Sequence, residues 1–213
     1  MRLLRHSRSD LDTILYEAIA STAKRLQLHP GSAPSSTVAI LRVNSTTIDS
    51  LVLGDSSVVI GGADDSYDAI TDDRLSQLRL PESSLYRSRL DSGTGYDTEH
   101  HALLAELQRR ERTCRNTHGG YWIAEANPDA ANHAFVTRYA RSAVPWAVLA
   151  TDGASDPLVS LGVSWPEVAR LNADELANLL TRCHRWESDT DPNGQQQPRP
   201  KRHDDKAIAV VRL

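Results

Sequence analysis

The sequence has few cysteines, no long apolar run and no excess of basic residues, and each absence excludes a class of protein. Two cysteines among 213 residues cannot form a disulfide framework, so we expect a cytoplasmic chain with unpaired thiols. No run of about 18 apolar residues occurs, which excludes a transmembrane helix. The first residues lack the apolar segment of a secretory signal, and we expect none.

The charge balance also argues against nucleic acid as a partner. Lys and Arg number 24 and Asp and Glu number 28, which gives a formal net charge of −4. Such a chain lacks the basic surface that neutralises phosphates. Hydrophobic residues make up 39% and charged residues 24%, as is typical of a globular protein. We therefore expect a single folded domain over residues 1–213, with no membrane partner.

The spacing of apolar residues predicts a block of strands, then helices, then a last strand. Apolar residues three or four apart predict helices over residues 10–28 and 99–113. The first predicted strand is apolar on both faces, so we expect it to be central in its sheet. Short apolar runs between turn residues predict strands at residues 36–43, 48–53, 57–60, 68–75, 147–151 and 206–213.

The remaining segments complete an α+β pattern. Short helices are predicted at residues 128–134, 166–171 and 172–185. Residues 81–98 and 187–203 are polar and predict flexible loops. Successive short strands with tight turns indicate an antiparallel meander, and strands grouped apart from helices indicate an α+β fold with an antiparallel sheet.

Aspartates fall beside the ends of three predicted strands. Asp55 and Asp152 each follow an apolar run, while Asp204 and Asp205 precede the last strand. Carboxylates gathered at one end of a sheet repel each other, and Mg²⁺ or Mn²⁺ would offset that repulsion. The alternative is that each aspartate only caps a helix or closes a turn, a common role for Asp.

Three segments in this order resemble the metal-dependent protein phosphatases of type 2C. They are Leu53-Gly54-Asp55-Ser56, Leu149-Ala150-Thr151-Asp152-Gly153 and Asp204-Asp205-Lys206-Ala207-Ile208-Ala209-Val210-Val211. Bacterial members also carry a Gly-Gly-Tyr-Trp segment before an Asn-Pro-Asp helix, which are found here at residues 119–122 and 127–129. The resemblance extends from about residue 11 to residue 213.

The resemblance implies two antiparallel sheets packed face to face, with helices on both outer faces and a binuclear Mn²⁺ or Mg²⁺ centre at one end. The implied reaction is hydrolysis of phosphoserine or phosphothreonine in a phosphoprotein by a metal-activated water. By the same resemblance, Asp55 and Asp156 would join a third, weaker metal site. The main metal ligands would be Asp152 and Asp204, supported by Gly153 and Asp205.

The N-terminal part of the family pattern has no counterpart in this sequence. The family carries an aspartate in a Val-X-Asp-Gly motif, which bridges both metals, and an upstream arginine that binds phosphate. The one Asp-Gly pair here is Asp152-Gly153, which the resemblance already uses. We expect an N-terminally truncated fold with impaired hydrolysis and weakened metal binding. The basic residues nearest that position lie in no matching motif: Arg2, Arg5, His6 and Arg8.

Two alternatives follow for the function, and a third for the aspartates. The chain is either a fragment of an active phosphatase or a catalytically inactive module that binds or regulates another protein. In both cases a missing strand leaves a sheet edge unpaired, which self-association or a partner chain would cover. In the third alternative the aspartates are only caps, and Mn²⁺ would not stabilise the protein.

Overall fold

The computed structural model describes residues 9–213, so Arg2, Arg5, His6 and Arg8 lie outside the described residues. The α-helices of this part are α1 Leu11–Leu26, α2 Arg74–Gln77, α3 Pro81–Asp91, α4 Thr98–Cys114, α5 Asp152–Ser160, α6 Trp165–Arg170 and α7 Ala173–Arg185. The strands are β1 Val38–Val43, β2 Thr47–Leu53, β3 Ser57–Gly61, β4 Tyr67–Ile70, β5 Phe135–Ala140, β6 Trp146–Ala150 and β7 Ile208–Arg212.

The strands form two antiparallel sheets, which confirms the predicted fold class. One sheet has the order β1-β2-β5 and the other the order β4-β3-β6-β7. The predicted continuous meander is wrong, because β2 and β3 are consecutive in sequence but belong to different sheets. Gly54 begins the crossing between them with a φ of 81°, a backbone conformation that glycine adopts without strain.

Apolar side chains from both sheets fill the space between them. Successive residues of a strand point to opposite faces, so Ile48 and Val52 of β2 face Val58 and Ile60 of β3. All four side chains are buried. Val144 and Ala147 complete this middle core, which joins the two sheets into one body.

Helices cover the outer face of each sheet, as the resemblance implies. In α1, the side chains of Leu11, Leu15 and Ile19 recur at helical spacing and pack on Leu51 and Leu53 of β2. On the other side, helices α6 and α7 pack on β3 and β6. That outer core contains Val59, Val148, Leu158, Val168, Ala169, Leu179 and Cys183.

Two sequence predictions about individual elements are corrected. Within residues 9–213, β1 is an edge strand that pairs only with β2, and all six of its residues keep some exposure, so it is not central there. Residues 81–98 are not a loop, because α3 occupies Pro81–Asp91. Pro81 favours the first turn of this helix. Tyr86 and Leu90 lie one helical turn apart and are buried against Leu107 of α4.

The segment 187–203 contains no strand and no helix beyond a wide turn at residues 186–190. It is nevertheless tied down by a buried carboxylate. Asp191 accepts hydrogen bonds from the backbone amides of Gln196 at 2.9 Å and Gln197 at 3.1 Å, and from Arg199 at 2.6 Å. Within the described part, no helix combines the length and the apolar character needed to span a bilayer.

Candidate metal centre

The pairing of three neighbouring strands brings the predicted metal ligands to one end of the second sheet. Ser57 of β3 is paired with Ala150 of β6, and Ala150 is paired with Ile208 of β7. Just beyond these residues lie Asp55 in the turn before β3, Asp152 at the start of α5 and Asp204 in the segment before β7. The antiparallel register therefore explains why aspartates far apart in the sequence meet at one place.

Gly153 allows the first turn of α5, which follows β6, to lie directly against the segment before β7. A Cβ atom at this position would be 2.5 Å from the carbonyl oxygen of Asp205 and 3.0 Å from the Cβ of Asp204. Thr151 strengthens the contact, since its backbone amide donates to the carbonyl of Ala207 at 3.1 Å. Gly153 and Asp205 thus support the site through main-chain packing, and the Asp205 side chain itself is exposed.

Burial and the mutual repulsion of the aspartates both raise the pKa values of Asp55 and Asp156. Burial, followed by the charges of Asp152, Asp156 and Asp204, raises the pKa of Asp55 from 3.8 to about 6. The pKa of Asp156 is also raised, first by partial burial and then by Asp152, while Arg87 opposes the shift. A cation placed among these groups would relieve the repulsion.

The donor chemistry of this cluster fits Mg²⁺ or Mn²⁺, which prefer carboxylate oxygens. Asp204 is already paired with Lys201, whose Nζ lies 2.8 Å from one carboxylate oxygen. A cation would have to compete with that ammonium. Among residues 9–213, the four aspartates provide no group of three ligand atoms within 4.8 Å of one another. Their role as metal ligands stays a prediction.

A cleft of about 370 Å³, which we call the acidic cleft, opens beside the aspartates. Asp55, Asp152 and Asp156 line it together with two basic residues, Arg79 and Arg87. The sequence pattern singles out neither arginine, because Arg87 lies in the segment predicted as a loop and Arg79 lies in no predicted element. The spacing of Tyr86 and Leu90, four residues apart after a proline, is the signal that could have revealed the helix.

No protein-family model matches the sequence, and no curated protein matches it. Solved structures of serine/threonine phosphatases do match. Phosphatase 2C from Toxoplasma gondii is 15% identical, with a TM-score of 0.49, over 94% of this chain and 65% of its own. Stp1 from Staphylococcus aureus is 14% identical, with a TM-score of 0.41, over 81% of this chain and 59% of its own.

A third structure is the catalytic domain of the phosphatase PstP, which was solved in complex with two manganese ions. It is 17% identical, with a TM-score of 0.44, over 97% of this chain and 72% of its own. The chain spans less than two thirds of the length of the Toxoplasma and Staphylococcus proteins. Across most of its length, the chain is thus similar to solved structures of serine/threonine phosphatases, including a phosphatase of type 2C.

Proposed function

We propose that this chain is a phosphatase-type domain that binds Mn²⁺ or Mg²⁺ at its acidic cleft. Asp152 and Asp204 are the main ligands, and Asp55 and Asp156 form a weaker position beside them. The observation that carries the proposal is the convergence of Asp55, Asp152 and Asp204 beside the ends of β3, β6 and β7, where burial and then the neighbouring carboxylates raise the pKa of Asp55 to about 6. Caps and turns alone do not require this convergence.

The substrate we propose is phosphoserine or phosphothreonine in a protein. We also propose that this chain hydrolyses it only weakly. A bound divalent cation supplies an activated water and neutralises phosphoryl oxygens. Asp55, Asp152 and Asp156 of the cleft, together with Asp204 beside it, would hold the cation, and Arg79 and Arg87 would offer positive charge to a phosphate in the same cleft. We expect weak hydrolysis for two reasons. The one Asp-Gly pair of the sequence leaves no counterpart for the family's metal-bridging aspartate, and the four aspartates provide no group of three ligand atoms within 4.8 Å of one another among residues 9–213.

Thermal unfolding with increasing Mn²⁺ tests the cation site. A ligand at one hundred times its Kd stabilises a protein by about 2.7 kcal/mol. We expect the melting temperature of the wild-type chain to rise with Mn²⁺, and the rise to disappear in Asp152→Asn and Asp204→Asn. The matched control is Asp64→Asn, an exposed aspartate on a turn away from the cleft. An undiminished rise in both cleft variants would refute the site.

Release of phosphate from a phosphoserine peptide tests the activity. We expect slow Mn²⁺-dependent release that Asp152→Asn abolishes. Fast release by the wild-type chain would contradict the proposed impairment. Peptide binding that requires Mn²⁺ but yields no phosphate would instead identify an inactive binding module. The sequence feature that favours this alternative is its single Asp-Gly pair, which leaves no counterpart for the metal-bridging aspartate of the family.

The proposal also includes a cytoplasmic location and a protein partner. Both cysteines, Cys114 and Cys183, are free thiols, as is usual in a reducing compartment. Among the described residues, β1 pairs with a strand on one side only and all its residues keep some exposure, and an unpaired strand edge can pair with another chain. A second copy of the chain is the partner we propose for this edge. Light scattering after gel filtration tests it, and a monomer at every concentration would refute it.

A further inference from the structure

A second cluster of possible metal ligands lies outside the acidic cleft. His184 is in the last turn of α7, Glu187 is in the wide turn that follows, and His203 is in the segment before β7. Their ligand atoms all lie within 4.8 Å of one another, the one such group of three among residues 9–213. The rings of His184 and His203 are 4.2 Å apart, centroid to centroid, and tilted by 31°.

The local fold explains why these three side chains meet. His184 and Glu187 are three residues apart on a continuing helical path, so they lie on the same face. His203 arrives from the far end of the segment 187–203. Arg199 fixes that segment, because it donates both to the buried carboxylate of Asp191 at 2.6 Å and to the carbonyl oxygen of Glu187 at 3.3 Å.

Glu187 is a buried carboxylate that already attracts positive groups. Its side chain is 2% exposed. The ammonium of Lys206 donates to both carboxylate oxygens, at 2.7 and 2.8 Å, and Nδ1 of His203 lies 3.1 Å from Oε2. Lys206 also donates to the carbonyl oxygen of Asp204 at 3.0 Å. The ammonium therefore keeps partners if it gives up one oxygen of Glu187.

We propose that His184, Glu187 and His203 bind a transition-metal dication of the zinc class, with water in the fourth position. Two imidazoles and one carboxylate are typical ligands for zinc, whereas the acidic cleft offers only hard oxygen donors. Zinc–nitrogen bonds of about 2.0–2.1 Å place tetrahedral ligands roughly 3.4 Å apart, so the set has to contract. His184 is exposed, which leaves its ring free to move inward.

The bound ion would act as a cross-link between the end of α7 and the segment before β7. This inference does not depend on the proposed phosphatase function, because none of its three ligands belongs to the acidic cleft. The nearby ammonium of Lys206 repels a cation. We therefore expect a lower metal affinity than the same three ligands would have without a neighbouring positive charge.

Titration of the chelator-treated full chain with Co²⁺ tests the site, because tetrahedral Co²⁺ absorbs visible light. We expect a visible absorption band for the wild-type chain. Addition of Zn²⁺ should remove this band, because Zn²⁺ displaces the bound Co²⁺. In His184→Ala and His203→Ala, the affinity should fall by at least about tenfold, the loss seen even for residues that only support metal ligands. His184 is exposed, so His184→Ala leaves the core intact, and circular dichroism verifies the fold of each variant.

Two controls make the result specific. His118→Ala and His101→Ala each remove an exposed histidine outside the cluster. Both should bind Co²⁺ as the wild-type chain does. Unchanged binding in His184→Ala and His203→Ala overturns the proposal. An equal loss in all four variants shows non-specific binding, so that outcome also overturns it.

Discussion

Single residues set the geometry and the electrostatics of the acidic cleft. Gly153 leaves room for the main chain of Asp205, so the first turn of α5 lies against the segment before β7. Asp55 is the residue most affected by its neighbours, because burial and the nearby carboxylates raise its pKa to about 6. Each effect predicts the result of one substitution.

Gly153→Ala should destabilise the protein and weaken Mn²⁺ binding. The added Cβ would be 2.5 Å from the carbonyl oxygen of Asp205, and main chain cannot move away as a flexible side chain can. We expect a loss of about 1–3 kcal/mol in the free energy of unfolding, as for other overpacked sites. Chemical denaturation measures it. Val159→Ala, on the same helix but 85% exposed, is the control and should change little.

Asp55→Asn should stabilise the metal-free protein, but only at higher pH. The pKa of Asp55 is raised in the folded state, so its ionisation lowers the free energy of unfolding. This loss is absent below about pH 4, grows between about pH 4 and 6, and is complete above about pH 6. The shift corresponds to up to about 3 kcal/mol. Denaturation in a chelating buffer at pH 4, 6 and 7.5 measures the gain. A gain that does not depend on pH would contradict this origin.

At the scale of elements, a buried ion cluster holds the three strands of the first sheet together. Asp49 of the central strand β2 is 2% exposed and accepts from Arg42 of β1 at 2.8 Å and from Arg138 of β5 at 2.5 Å. Burial alone would raise the pKa of Asp49, but the hydrogen bonds from Arg138 and Arg42 outweigh it and hold the pKa below its usual value.

Asp49→Asn should cost about 3 kcal/mol at pH 7, because it leaves the guanidinium of Arg42 without its charged partner. The pKa of Asp49 is lowered in the folded state, so its contribution is present above about pH 4 and is lost as the pH falls further. The variant and the wild-type chain should therefore converge in stability under acid conditions. Asp65→Asn, whose partner Arg170 is exposed, is the control and should lose less than about 1 kcal/mol.

At the scale of the whole molecule, three apolar cores share the strands of two sheets. The middle core joins β2 of one sheet to β3 of the other, and each outer core joins a sheet to its helices. Because the same strands take part in a middle core and an outer core, we expect the described part to unfold as one cooperative unit.

Val58→Ala tests this cooperativity. Val58 is fully buried between the sheets, and its truncation should cost about 2 kcal/mol. The unfolding curves from far-ultraviolet circular dichroism and from tryptophan fluorescence should shift together, since Trp122 reports on one outer core and Trp146 on the other. Val136→Ala, an exposed strand position, is the control. Curves that separate in Val58→Ala would show that the sheets unfold independently.

The sequence by itself determined most elements and the positions of the aspartates. Apolar spacing depends only on which face of an element is buried, and this identified α1, α4, β2 and β6 close to their bounds. The same reasoning placed Asp55 and Asp152 directly beside strands. It gave the wrong structure for α3, because that helix buries only a narrow stripe, including Tyr86, in an otherwise polar segment.

Only the tertiary structure decided which elements are neighbours. Apolar residues on both faces of β1 did not make it central, since their pattern reports burial but not the number of paired strands. The crossing between β2 and β3, and the approach of His203 to His184 and Glu187, depend on contacts between residues distant in sequence. Local patterns carry no information about such contacts, because their free energy arises only when the chain has folded.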